Sequence, residues 1–123
     1  GNTGPYILYT IVRMKSILTK AGFNAESKIE ILPAHSDSEK ALMLELTKFS
    51  AAVSTAASEM APHKICAYIY DLANAFNRFY HDTKILAEED VAVKTSYLTL
   101  LALTDNVLET AIDLLGFDAP ARM

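Results

Sequence analysis

Residues 62–81 read PHKICAYIYDLANAFNRFYH. Ile65, Ile69, Leu72, Phe76 and Phe79 recur at spacings of four, three, four and three, the period of one face of an α-helix. A half-buried strand would alternate every second residue, and this stretch does not. Pro62 suits a first helical turn, where its missing N–H costs nothing. The pattern predicts an amphipathic helix from Pro62 to about His81, with a strong apolar face that other elements must cover.

Those other elements are also helical. From about Pro5 to Ala21, Ile7, Ile11, Met14 and Leu18 mark a core stripe, and Gly22 offers a left-handed stop. Tyr6, Tyr9 and Arg13 share the stripe nearly opposite. In SDSE (36–39), Ser36 and Glu39 have capping-box spacing and open a helix predicted to reach about Met60, through Leu42, Leu46, Phe49 and Val53. Its middle, SAAVSTAAS, is rich in small residues and lets a neighbouring helix come close. A fourth helix is predicted from about Glu88 to Leu115, with acids in its first turn and Gly116 as its stop. Leu98, Leu101, Leu108, Ile112 and Leu115 form one apolar row, and Leu100, Leu103, Val107 and Leu114 a second. Being apolar on two flanks, this helix is expected to be the most buried. The expected fold is an all-α antiparallel bundle of four long helices, with one short extra helical turn at 26–31 as an optional addition.

The chain has 123 residues, enough for one domain with a real core, so 1–123 reads as a single unit. Hydrophobic residues make up 51% and charged residues 21%, with only four glycines and four prolines, which excludes a disordered or fibrous chain. No long uncharged apolar run suggests a membrane span and no leader pattern opens the chain, so no membrane partner is expected. The single cysteine, Cys66, excludes an internal disulfide; beside Ile65 it reads as a buried structural thiol. The net charge of −4 excludes a non-specific polycationic coat for DNA or RNA. The sum hides a gradient. Residues 1–25 carry Arg13, Lys15 and Lys20 and no acid, whereas 88–118 carry seven acids against Lys94 alone.

Catalytic patterns are missing. His35, His63 and His81 stand apart, and no HExxH, CxxC, GxGxxG, P-loop or GxSxG sequence occurs. Glu88, Glu89 and Asp90 read as a solvated helix start. The chain therefore reads as a module that binds. The Tyr6/Tyr9 side of the first helix is the outstanding candidate, since aromatic rings beside an arginine serve an RNA loop or a protein neighbour equally well. Tyr68, Tyr70 and Tyr97 read as core or flank residues. Asn74, Asn77 and His81 follow Tyr70 along a polar stripe that reads as solvent face, although Asn77 has the groups to bond a base or to fix Tyr80.

Three blocks then resemble a known family in the right order. GNTGPYILYTIVR (1–13) is similar to the G-[ND]-T-[AG]-P-Y-x-x-Y start of the anticodon-binding (DALR-type) domain of arginyl-tRNA synthetases. APHKICAYIYDLANAFNRFYHDTKIL (61–86) resembles that family's Y-L-Y-D-L-A-x-x-F-N-x-F-Y helix. LLGFDAPARM (114–123) resembles its closing L-L-G-[x]3-P-x-R-M. Ala121 departs from the Glu common there, and SAAVSTAAS is less charged than usual. The resemblance implies a C-terminal fragment of a cytoplasmic class I arginine–tRNA ligase. Its partners would be the anticodon loop of tRNA-Arg and a catalytic domain outside this chain. It would hold no cofactor itself, with ATP and Mg belonging to the catalytic domain. The family's RNA-contacting positions fall on Tyr6, Tyr9, Tyr80 and Met123. Arg13 adds a guanidinium suited to phosphate, and Asn77 an amide. The competing expectation is a helical protein–protein module that uses Tyr6 and Tyr9 as an aromatic anchor.

Overall fold

A computed structural model describes residues 3–23 and 31–118. The optional turn at 26–31 falls almost wholly outside the described residues, as does Met123. Five helices follow one another: α1 (Thr3–Ala21), α2 (Asp37–Thr47), α3 (Phe49–Glu59), α4 (Pro62–Asp82) and α5 (Val91–Asp118). No strand occurs among the described residues, and the fold is the expected all-α bundle.

The core forms where the periodic apolar faces meet. Phe76, Phe79 and Leu72 of α4, Met14 of α1, Leu42 of α2, and Leu101 and Leu108 of α5 are all fully buried. Burying one such side chain stabilises the fold by about 1.5–3 kcal/mol. The helix at the centre is α4, which packs against each of the other four. This corrects the expectation that the last helix lies deepest. One row of α5 is buried through Leu98, Leu101 and Leu108. Its second row fades toward solvent, with Leu103 exposed and Val107 and Leu114 half-buried. Apolar composition alone did not guarantee a neighbour on that flank.

Helix ends follow local chemistry. Gly22 adopts φ 66°, so that the amide of Phe23 reaches the Leu18 carbonyl at 3.1 Å and closes α1. The Ser36 hydroxyl caps α2 by accepting from the Glu39 amide at 3.2 Å. The returning Glu39 carboxylate accepts from the His35 amide at 2.7 Å. Before α5, Asp90 accepts from the amides of Ala92 and Val93, so the acids precede that helix, which starts three residues later than predicted. Gly116 lacks a positive φ and stays helical, and α5 runs on to Asp118.

The helix predicted over 36–60 is two helices broken at Lys48. The Tyr68 hydroxyl of α4 donates to the Glu45 carbonyl at 2.8 Å, the acceptor that a continuous helix would offer to the Phe49 amide. The Lys48 amide takes the same carbonyl at 3.1 Å. Burial and the nearby Glu45 push the Tyr68 phenol up to about 12, so this clamp keeps its proton at any physiological pH. At the α3–α4 corner, Met60 stands at φ 51° and is highly exposed. Cys66 is exposed, contrary to expectation, because the buried face of α4 at that level is formed by Ile65, Tyr68 and Ile69.

Candidate nucleic-acid interface

Tyr6, Thr10 and Arg13 follow one another at i, i+4 and i+7 and turn the same side of α1 toward α4. The facing positions of α4 are Tyr70, Asn74, Asn77 and Tyr80, again about one helical turn apart. The Tyr6 hydroxyl donates to Asn74 Oδ1 at 2.7 Å and accepts from Asn77 Nδ2 at 2.9 Å. Asn77 Nδ2 also donates to Thr10 Oγ1 at 3.0 Å, and Thr10 Oγ1 in turn donates to the Tyr6 carbonyl at 2.9 Å. Arg13 Nη1 completes the set by donating to Asn77 Oδ1 at 2.7 Å. Both donors and the oxygen of the Asn77 amide are therefore engaged.

The stripe read as solvent face divides accordingly. Asn77 is buried, Asn74 is half-buried, and only Tyr70 and His81 face outward. Thr10, 1% exposed, belongs to the network and went unnoticed in the sequence. Its i+4 spacing from Tyr6 was the signal that could have found it.

Above this network the Arg13 guanidinium lies 4.3 Å from the centre of the Tyr80 ring and 5.3 Å from that of Tyr9. Such placements are attractive because the face of an aromatic ring is electron-rich. Tyr9 is 64% exposed and rests on little else. Tyr80 is backed by Phe76 at 6.3 Å and flanked edge-on by His81 at 5.4 Å, while Tyr6 packs obliquely on Tyr70 at 5.7 Å. Five of the six predicted site residues thus converge, and Met123 lies outside the described residues. Of the tyrosines read as core or flank, Tyr68 and Tyr97 are buried and Tyr70 is exposed.

The electrostatics of this patch are unusual for a half-buried cation. Arg13 has no carboxylate partner among the described residues, and its one hydrogen bond goes to a neutral amide. Among the described residues four of its five N–H donors, and its charge, are left without a partner. The result is a cation between two flat rings, suited to planar π systems and to anionic oxygens. No group of three or more His, Cys, Asp or Glu is placed to hold a metal among the described residues.

Fold and face together define a class: a helical binding domain whose exposed aromatic rings and uncompensated arginine are carried on two packed helices. Residues 7–123 match the family model described as the DALR anticodon binding domain. The arginine–tRNA ligase of Agathobacter rectalis is 61% identical over the whole of this chain, and that of Alkaliphilus oremlandii is 53% identical. The chain spans 21% of the length of each. A structure described as an arginyl-tRNA synthetase of Campylobacter jejuni superposes with a TM-score of 0.82 at 26% identity, covering 94% of this chain and 25% of that one. The chain belongs to the DALR anticodon binding domain family.

Proposed function

We propose that residues 1–123 form the anticodon-loop recognition domain of a class I arginine–tRNA ligase and position tRNA-Arg for aminoacylation by a catalytic domain outside this chain. The observation that carries the reading is the Arg13 guanidinium, set between Tyr9 and Tyr80 by a neutral amide. Bases of a loop can unstack and lie on aromatic faces, while a guanidinium meets the phosphates between them. Tyr9 and Tyr80 act as ring platforms, and Arg13 as the cation that joins base and backbone. Tyr6 and Asn77, whose polar atoms are engaged inside the domain, act by holding Arg13 and Thr10 in register. Met123 is assigned an RNA contact by family resemblance alone. ATP and Mg belong to the catalytic part, and no residue here is assigned to them. No helix among the described residues is long and apolar enough to cross a membrane; work in the cytoplasm is assigned by family resemblance.

The reading is tested by titrating arginine tRNA and a non-cognate tRNA against the chain and its Tyr9→Ala variant. Loss of one stacking platform should weaken arginine-tRNA binding by about 1–3 kcal/mol, with Tyr9→Phe losing less. The melting temperature should not move, because Tyr9 lies outside the core. Equal affinity of parent and variant for arginine tRNA would favour the competing protein-docking role of this face.

A further inference from the structure

Next to the Tyr9–Arg13–Tyr80 cluster, a groove of about 670 Å³ runs between α1 and the 83–87 segment that leads out of α4. Tyr9, Arg13 and Tyr80 form its wall at one end, so it is continuous with the ring platform. Ile17 and Ile85, both buried, form its floor. Lys20 and Lys84 stand exposed along its rims, and His81 borders it. Among the described residues no Asp or Glu lines it. In a chain of net charge −4, a concave surface with cations and no acid is a departure from the average.

The state of the cations sharpens the point. Lys15, Lys48 and Lys64, on other parts of the surface, are each paired with a carboxylate. Arg13, Lys20 and Lys84 form no ion pair among the described residues, and neither do Lys40, Arg78 and Lys94 elsewhere; what sets the first three apart is that they share one groove. Beyond Ala87 the charge is mixed: Glu88 and Glu89 line the two neighbouring hollows, with Lys94 in one and Asp82 and Lys84 in the other. A polyanion is therefore drawn into the groove at the platform end and meets carboxylates only beyond Lys84.

From this arrangement we infer that the groove is a phosphate rail, in which Lys20 and Lys84 hold the sugar–phosphate backbone of the single strand whose base rests at Tyr9 and Tyr80. The inference rests on the RNA-binding reading above and adds to it a second subsite and a direction for the strand. The apolar floor suits riboses, and the rims supply point charges with no base-reading geometry. The rail therefore contributes affinity that is indifferent to sequence, whereas the platform contributes the part that depends on bases.

The test is a titration of a labelled arginine tRNA transcript against the chain over a series of salt concentrations. Each phosphate contact on a single strand contributes about 0.7 to the slope of log affinity against log salt. Changing Lys20 and Lys84 together to Ala should lower the slope by about 1–1.4 and weaken binding to arginine tRNA and to non-cognate tRNA by equal factors. Tyr9→Ala should weaken binding with the slope intact. If Tyr9→Ala weakens binding while the double lysine variant keeps the parent's affinity and slope, the rail is overturned and the platform stands. If the unmodified chain fails to bind at low salt, or neither variant changes binding, the RNA reading falls and the rail with it. A polyglutamate chain competing as well as polyuridylate of equal length would overturn the assignment of the groove to RNA. Both lysines are exposed, so an unchanged melt should accompany either result.

Discussion

Arg13 and Lys15 sit two residues apart on α1 and meet opposite fates. Arg13 points to α4, where Asn77 and the Tyr80 ring hold it beside the Tyr9 ring of its own helix, with no carboxylate partner among the described residues. Lys15 points to α5, where Glu109 lies 3.2 Å away and Asp105 3.9 Å away. Two residues on a helix are about 200° apart, so the neighbouring helix, more than the residue type, decides whether a cation is cancelled or available. The α5 side is a charge cluster in its own right. Burial, first, then the hydrogen bond and charge of Glu109, push the Asp105 carboxyl up to about 7, against the lowering pull of Lys15. Glu109 is held down by its hydrogen bond to Asp105, so the shared proton resides on Asp105. The Lys15 ammonium is raised, chiefly by its hydrogen bond to Glu109.

The comparison can be broken most strongly from below. Phe76 is fully buried and backs Tyr80, so Phe76→Ala should cost about 3–5 kcal/mol in urea unfolding, most of a small domain's margin. A melt close to the parent's would mean that the α4 face does not rest on the core as described.

On the α5 side the effect depends on pH. The folded state keeps the Asp105 proton up to about 7, while the unfolded carboxyl loses its own near the ordinary aspartate value of 3.8. Between those values the folded state binds more protons, so this group's contribution to stability falls as pH rises through that window and levels off above it. Asp105→Asn should remove that slope and gain about 1–3 kcal/mol relative to the parent above the window. Unfolding curves at about pH 5 and about pH 8 check it; a parent–variant difference independent of pH would refute the assignment of the proton.

Converting one side into the other is the sharper experiment. Asn77→Asp places a carboxylate where Arg13 now meets an amide, while both hydroxyls can still turn to donate. The domain should stay folded, and tRNA affinity should drop with a salt slope smaller by about 0.7, the share of one phosphate contact. An undiminished slope would show that Arg13 meets no phosphate.

The smallest expected effect lies away from both clusters. Met60 holds a left-handed conformation that costs a residue with a Cβ about 1 kcal/mol or slightly more. Met60→Gly should therefore raise stability by about 0.5–1 kcal/mol and leave tRNA binding unchanged.

Much of this was legible in the sequence because it is periodic. The α4 face, the α1 stripe through Ile7, Ile11 and Met14, and the Ser36 cap are local patterns found as read, although at the end of the stripe Ile17 is buried and Leu18 only half-buried. The break at Lys48 was not legible, since it depends on a tyrosine hydroxyl reaching a carbonyl 23 residues earlier in the chain. The depth of α5 was misjudged because hydrophobic character measures what a residue tolerates, and Leu103 is left largely open to solvent at 41% exposure. At the site, the exposed rings and the arginine could be picked out by type and spacing. The burial of Asn77 could not, because a polar stripe on α4 becomes interior only when Tyr6 and Thr10 of another helix supply matching polar groups.

The outward turn of Cys66 has a practical use. It is the only cysteine in the chain, and it is exposed. It stands on the same rigid helix as Tyr80, fourteen residues and therefore about 21 Å away along the axis. A fluorophore attached there would need no engineered thiol and would not touch the proposed RNA face. Energy transfer to a dye placed on the loop of a bound tRNA would then act as a ruler, reporting which nucleotide lies over the rings and which way the strand runs from them.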